Sequence, residues 1–227
     1  MTIRLGAELA LARLREPGTL SAAVLGLSFE LGVALLERAH GRVGAADRAL
    51  SGGAFGIAVP LLCYWLVSRA CGSGSLREAV QPLARHGANR QLLVVGLALP
   101  PALVAAAFAA LSGSCVVVLT RGVSDSRLFG DVATCLWIGI ASGLAYALAF
   151  VGASAYGRAG RGRAWLLGAD FLLGAGSSSL ALPWPKGHIR NLLGGTPVLE
   201  LSQLAALLVL LGTSFALLSF GLRKCHR

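Results

Sequence analysis

The residues able to do chemistry are few and lie far apart. Glu30 and Asp170 are the only acids well inside apolar stretches of this 227-residue chain. An ionisable group in hydrocarbon is costly and often marks a path for substrate or ions, so both are candidate pathway residues; either can also simply meet a structural partner. Small residues surround serine in GAGSSS (174–179) and GASAYG (152–157). A serine nucleophile needs a positioned base. His40, His86, His188 and His226 all fall in joints or at the terminus, so packing accounts for these triplets better than an intramembrane protease does. The only lysines are Lys186 and Lys224, neither behind a glycine-rich loop, and there is no GxxxxGK[ST] sequence. The chain therefore carries no Walker-type nucleotide site. HExxH and CxxC spacings are also absent, and the five cysteines (Cys63, Cys71, Cys115, Cys135, Cys225) read as small apolar residues. Cys115 and Cys135 flank one joint, where a single bridge is conceivable.

The elements that must position these residues are helices in a bilayer. Six apolar stretches, over 18–36, 51–70, 92–119, 132–156, 164–182 and 198–222, alternate with arginine-rich joints. Crossing a hydrocarbon core takes ~20 apolar residues of helix. The composition is 56% hydrophobic and 13% charged, with a mean hydropathy of +0.73. A soluble domain of this length has no interior able to hide so much apolar surface. The expected fold is an all-α membrane protein of six transmembrane helices forming a single domain.

Net charge is +10, and its distribution is topological. The N-terminus, the joints after the second and fourth stretches, and the C-terminus together carry 13 positive and 3 negative residues. The other joints carry 7 and 5. Lys and Arg collect on the cytoplasmic side, so both termini are expected there, in a bacterial inner membrane, and nucleic-acid binding is not expected. The first stretch is too long for a signal-peptide core and no small-residue cleavage site follows it, so it reads as a permanent span.

Shorter elements fill the joints. Residues 3–15 mix leucines with Arg4, Glu8, Arg13 and Arg15 before Pro17-Gly18, predicting an amphipathic helix in the interface. In CGSGSLREAVQPLARHGANR (71–90), Ser75 with Glu78 three residues on is a capping box. It predicts a short helix over 75–85 with Leu76, Val80 and Leu83 on one side, either a dock for a soluble partner or a solvated connector. Pro100-Pro101 should bend the third span. The spacings Gly52–Gly56 and Gly139–Gly143 suit close helix packing in lipid. LPWPKGHIRNLLGG (182–195) is apolar enough to dip into the membrane as a re-entrant element over 183–197.

This layout resembles the membrane subunit of ABC transporters of the ABC-2 (type V exporter) class, with the heme-exporter membrane subunit as a close relative. GSLREAVQPLARHGANRQLL (74–93) is similar to that family's G-[ST]-L-x-x-L-x-x-x-P-x-[SR]-R stretch, although Val80 and Gln81 stand where a leucine pair is common. LPWPKGHIRNLLGG resembles the family's loop before the last span. The resemblance implies an N-terminal interfacial helix, six spans and a cytoplasmic coupling helix, whose ATPase-coupling residues would be Leu76, Arg77, Glu78, Val80, Leu83 and Arg85. It implies a separate ATPase subunit holding ATP and magnesium, a second permease copy or homologue, and no cofactor on this chain. Glu30 and Asp170 would lie along the substrate path. A non-transporting scaffold and an ion-coupled carrier are the alternatives.

Overall fold

The structure, a computed structural model, describes residues 1–41 and 44–226. Arg42 and Arg227, two of the charges counted above, lie outside the described residues, as does the side chain of His226. All regular structure among the described residues is helical. Five helical stretches there are long and apolar enough to cross a membrane: Pro17–Ala39, Ala45–Ala84, Arg90–Arg121, Leu128–Ala153 and Gln203–Cys225. The chain is a multi-pass membrane protein on that ground.

Helix α1 (Thr2–Leu14) covers the stretch expected as an interfacial helix, but it is docked into the bundle. Its buried residues, Gly6, Ala10 and Leu14, recur every four positions. A Cβ on Gly6 would strike the Leu93 carbonyl, and one on Gly96 the Ile3 carbonyl. Two bare glycines therefore let α1 and α6 (Arg90–Arg121) approach backbone to backbone, the way small residues pack helices in lipid. Pro17 opens α2 (Pro17–Ala39), where its fixed φ and missing N–H are tolerated. Apart from Glu30 and Ala34, α2 buries little of itself; Leu20 and Leu25 are about 70% exposed, as suits a lipid-facing helix.

Helix α3 (Ala45–Arg48) runs through π-helical turns at Ala49–Ala58 into α4 (Val59–Cys71). A Cβ on Gly56 would hit the carbonyl of Ser51 within these wide turns, and Gly52 faces no neighbour within 4 Å. The Gly52–Gly56 spacing thus serves the π-helical backbone, not a helix–helix contact; Gly53 meets Val33 of α2 instead. The second spacing behaves as expected. Gly139 and Gly143 of α7 (Leu128–Ala153) lie against the backbone of Ala109–Ala110 and Ala105–Ala106, an antiparallel crossing with α6. Helix α6 continues through Pro100 and Pro101, both buried.

The stretch expected as a span over 164–182 is not one continuous helix. Helix α8 (Gly162–Leu173) has 12 residues, about 18 Å at 1.5 Å per residue, short of the ~30 Å core. Hydropathy continues past Leu173, but Gly174, Gly176 and three serines offer the backbone alternatives to helix. A single 3₁₀ turn, Ser179–Ala181, follows. The buried α9 (Pro185–Leu192) then leads to α10 (Gln203–His226), on which it packs.

Side chains close the polar backbone of this irregular segment. Arg190 donates to the carbonyls of Thr196 (3.2 Å), Gly176 (2.9 Å) and Ala175. Asn191 Nδ2 donates to Leu201 O at 2.8 Å, and the His188 ring bonds Leu182 O at 2.7 Å. Non-helical backbone at membrane depth survives only when satisfied by protein in this way. The five cysteines are free, Cys115 exposed and Cys135 buried.

Candidate functional site

Helix α5 (Leu76–Ala84) stands at the arginine-rich end of the bundle. Its capping box is complete: Ser75 N donates to Glu78 Oε2 at 2.9 Å, and Glu78 N donates to Ser75 Oγ at 3.4 Å. A Cβ on Gly74 would come within 2.5 Å of the same Glu78 oxygen, so the glycine clears the fold-back. Gly72, at φ +72°, turns the chain out of α4. Two arginines bind the last carbonyls before α5: Arg13 Nη1 reaches Ala70 O at 2.6 Å and Arg163 Nη2 reaches Gly72 O at 2.8 Å. Leu76 N donates to Ser154 O at 3.0 Å. The two arginines thereby fix the turn before α5 to α1 and α8, while α5 itself is bonded to the end of α7 and packs on α6 and α10.

This anchoring divides the six residues assigned to coupling. Leu76 and Val80 are fully buried; they fasten α5 to the bundle and present nothing to a partner. Leu83 is half-buried, while Arg77, Glu78 and Arg85 are exposed. The exposed face of α5 is therefore polar and charged, with Pro82 and His86 beside it.

Asp170 is also sorted by its neighbours. Its Oδ2 accepts from the Tyr146 hydroxyl at 2.7 Å and its Oδ1 from the Lys186 N–H at 3.0 Å. Fully buried, it joins α8 to α7 and caps the first turn of α9, whose leading N–H groups have no helical partner. Lys186 Nζ also sits 4.7 Å from the Phe171 ring centroid. The geometry gives Asp170 a structural task that needs no substrate.

Glu30 differs. It is 1% exposed, on the face of α2 that meets α6, and the Ser112 side chain is its polar neighbour. Helices α2 and α6 run parallel here, with Phe108 beneath Gly26 and Arg38 Nη1 donating to Leu119 O at 2.8 Å. Neither Glu30 oxygen nor the Ser112 hydroxyl reaches hydrogen-bonding geometry with any group among the described residues. Glu30 and Asp170 sit in different helix interfaces, so the structure does not assemble them into one site.

In GASAYG the Ser154 hydroxyl is spent on the helix backbone, its Oγ donating to Phe150 O at 2.7 Å. Among the described residues, no group of three or more His, Cys, Asp and Glu side chains could hold a metal ion. The buried polar pair Glu30–Ser112 was only half legible in the sequence, where Ser112 is one serine among many small residues. Comparison with protein-family models, with curated proteins and with solved structures returned no match.

Proposed function

We propose that this chain is the membrane-spanning subunit of an ATP-driven exporter of the ABC-2 kind, working with a separate ATPase and a second permease copy in a bacterial inner membrane. The observation that carries this reading is α5: a capped helix, packed on α6 and α10 and bonded to the end of α7, that turns Arg77, Glu78 and Arg85 outward at the arginine-rich end. A force applied there would reach the end of α7 through the Leu76–Ser154 backbone bond, and α6 and α10 through the packing of α5 on them. By the positive-inside rule that end faces the cytoplasm, where ATP is available. Helix α8 and the buried α9 would take the place of the fifth of the six expected spans, as one half-crossing and one re-entrant element.

The test is purification of the tagged chain from its own cells, with mass spectrometry and an ATPase assay. A stoichiometric nucleotide-binding subunit should accompany the native chain and be lost from the Arg77→Glu, Arg85→Glu variant, which leaves Leu76 and Val80 in place. Purification without any ATPase would oppose the reading. One observation favours a second reading, an ion-coupled carrier: Glu30 is buried with both oxygens unpartnered. A Glu30→Gln variant that abolishes an ion dependence of transport would support it.

A further inference from the structure

A polar cavity opens beside α5, between the end of α1 and the end of α4. Arg13, Ser68, Arg69 and Arg163 line it, with Glu16 as the opposing charge. Three guanidinium groups thus face one carboxylate. Their donors are not all used. Arg69 Nη1 pairs with Glu16 Oε2 at 2.6 Å, but Arg69 Nε, Ser68 Oγ and Arg163 Nη1 are buried without a hydrogen-bond partner among the described residues. Arg163 is only 6% exposed. Buried donors left unpaired cost free energy, and a cluster of them with net positive charge is complementary to an anion rich in acceptor oxygens.

The cavity does not end in water. Tyr64 and Trp65 line it and also line an apolar groove between α2 and α4. That groove continues past Leu25, Gly26, Phe29, Ile57 and Leu61, on the part of the surface where α2 buries little. The Arg69 guanidinium lies 5.2 Å from the Trp65 ring centroid, so indole and cation meet where the polar cavity becomes the apolar groove. Tryptophan favours that boundary at a membrane surface. Gly18 leaves room for Arg69: a Cβ there would come within 2.5 Å of its Nη2.

We infer that this cavity and groove together form a binding site for one anionic phospholipid. The phosphate sits on Arg69, Arg163 and Ser68, and an acyl chain lies along α2 and α4. Basic pockets between membrane helices at the cytoplasmic side are suited to such headgroups. The shared aromatic pair makes the polar and apolar parts one continuous site, which is what selects a lipid over a soluble phosphate. The site does not depend on the exporter reading and stands whether or not an ATPase binds.

The test uses the full chain in dodecylmaltoside, delipidated and then mixed with phosphatidylglycerol or phosphatidylcholine. Native mass spectrometry counts the lipid retained. Both lipids bring the phosphate, but phosphatidylcholine also brings a quaternary ammonium among Arg13, Arg69 and Arg163, so phosphatidylglycerol should be held roughly tenfold more tightly, about 1.4 kcal/mol. Arg69→Gln should remove that preference. Glu16→Gln frees Arg69 Nη1 and should strengthen it, and because the Arg69–Glu16 pair is exposed and so adds little to the fold, this variant guards against a result due to misfolding. Leu61→Trp, in the exposed groove, should weaken both lipids. Equal retention of the two lipids, or no response to Arg69→Gln and Glu16→Gln, would overturn the site. Glycerol phosphate displacing the lipid at equal concentration would overturn the acyl-chain half and leave a site for soluble phosphate.

Discussion

Replacing Asp170 by alanine should destabilise the fold by ~2–4 kcal/mol. The figure follows from what the side chain holds. Tyr146, fully buried, would lose the acceptor for its hydroxyl, now at 2.7 Å, and a buried donor left unpaired costs about 1–3 kcal/mol. The part-buried Lys186 N–H, at 3.0 Å, would lose its cap as well, for about 1 kcal/mol. Tyr146→Phe removes only the first bond and should cost ~1–2 kcal/mol. Since Asp170→Ala already forfeits that bond, the double variant should be little worse than Asp170→Ala alone, with a coupling energy of ~1–2 kcal/mol. Asp170→Asn keeps an acceptor for the Lys186 N–H and should fall between native and alanine. The assay is equilibrium unfolding in dodecylmaltoside with rising dodecyl sulfate, followed by helical circular dichroism. Additive losses for the two single changes, or a loss below ~0.5 kcal/mol for Asp170→Ala, would refute the structural role and return Asp170 to the substrate path.

Gly143→Val should loosen the α6–α7 crossing, because even the first added carbon would lie 2.5 Å from Ala105 backbone; overpacking of this kind costs ~1–3 kcal/mol or more and should lower the thermal midpoint, whereas Gly52→Val, facing open space, should change the crossing little. Ser75→Ala should cost ~1 kcal/mol of local α5 stability, seen as faster amide exchange over 76–84 with the rest of the bundle unchanged. Asp125, in the joint between α6 and α7, is held below its ordinary value of 3.8, first by the Arg127 N–H and then by Arg121. Its folded form therefore gains stability above that value and loses it as pH falls through the lower folded value; Asp125→Asn should flatten that acid limb in a pH series of unfolding midpoints.

Much of this architecture is legible residue by residue. Ser75 and Glu78 mark the start of α5 because a capping box is local, and Pro17 marks the start of α2 for the same reason. Gly139 and Gly143 mark a close crossing because in lipid little except small residues lets two backbones meet. Legibility fails where tertiary contacts decide. Apolar and small residues run through Leu173 and on to Leu182, yet α8 stops at Leu173; hydropathy does not report helicity, and Arg190 supplies from a distance the hydrogen bonds that make the break tolerable. The leucines of α1 suggested a helix lying on the membrane, while its small residues dock it against α6. On α5 the pattern of Leu76, Val80 and Leu83 was right, but only burial tells an anchoring face from a docking face. Asp170 and Glu30 look alike in the sequence; Tyr146 and Lys186 distinguish them in the fold.

The measurement that bears most directly on the exporter reading is a photo-crosslink from position 85 in living cells. A photoreactive residue in place of Arg85, on the exposed face of α5, should join the chain to a protein carrying a Walker-type nucleotide site. The same residue in place of Leu172, exposed on α8, should not. Adducts at position 85 that contain no ATPase, or an identical pattern at both positions, would contradict the reading that α5 receives the work of ATP hydrolysis.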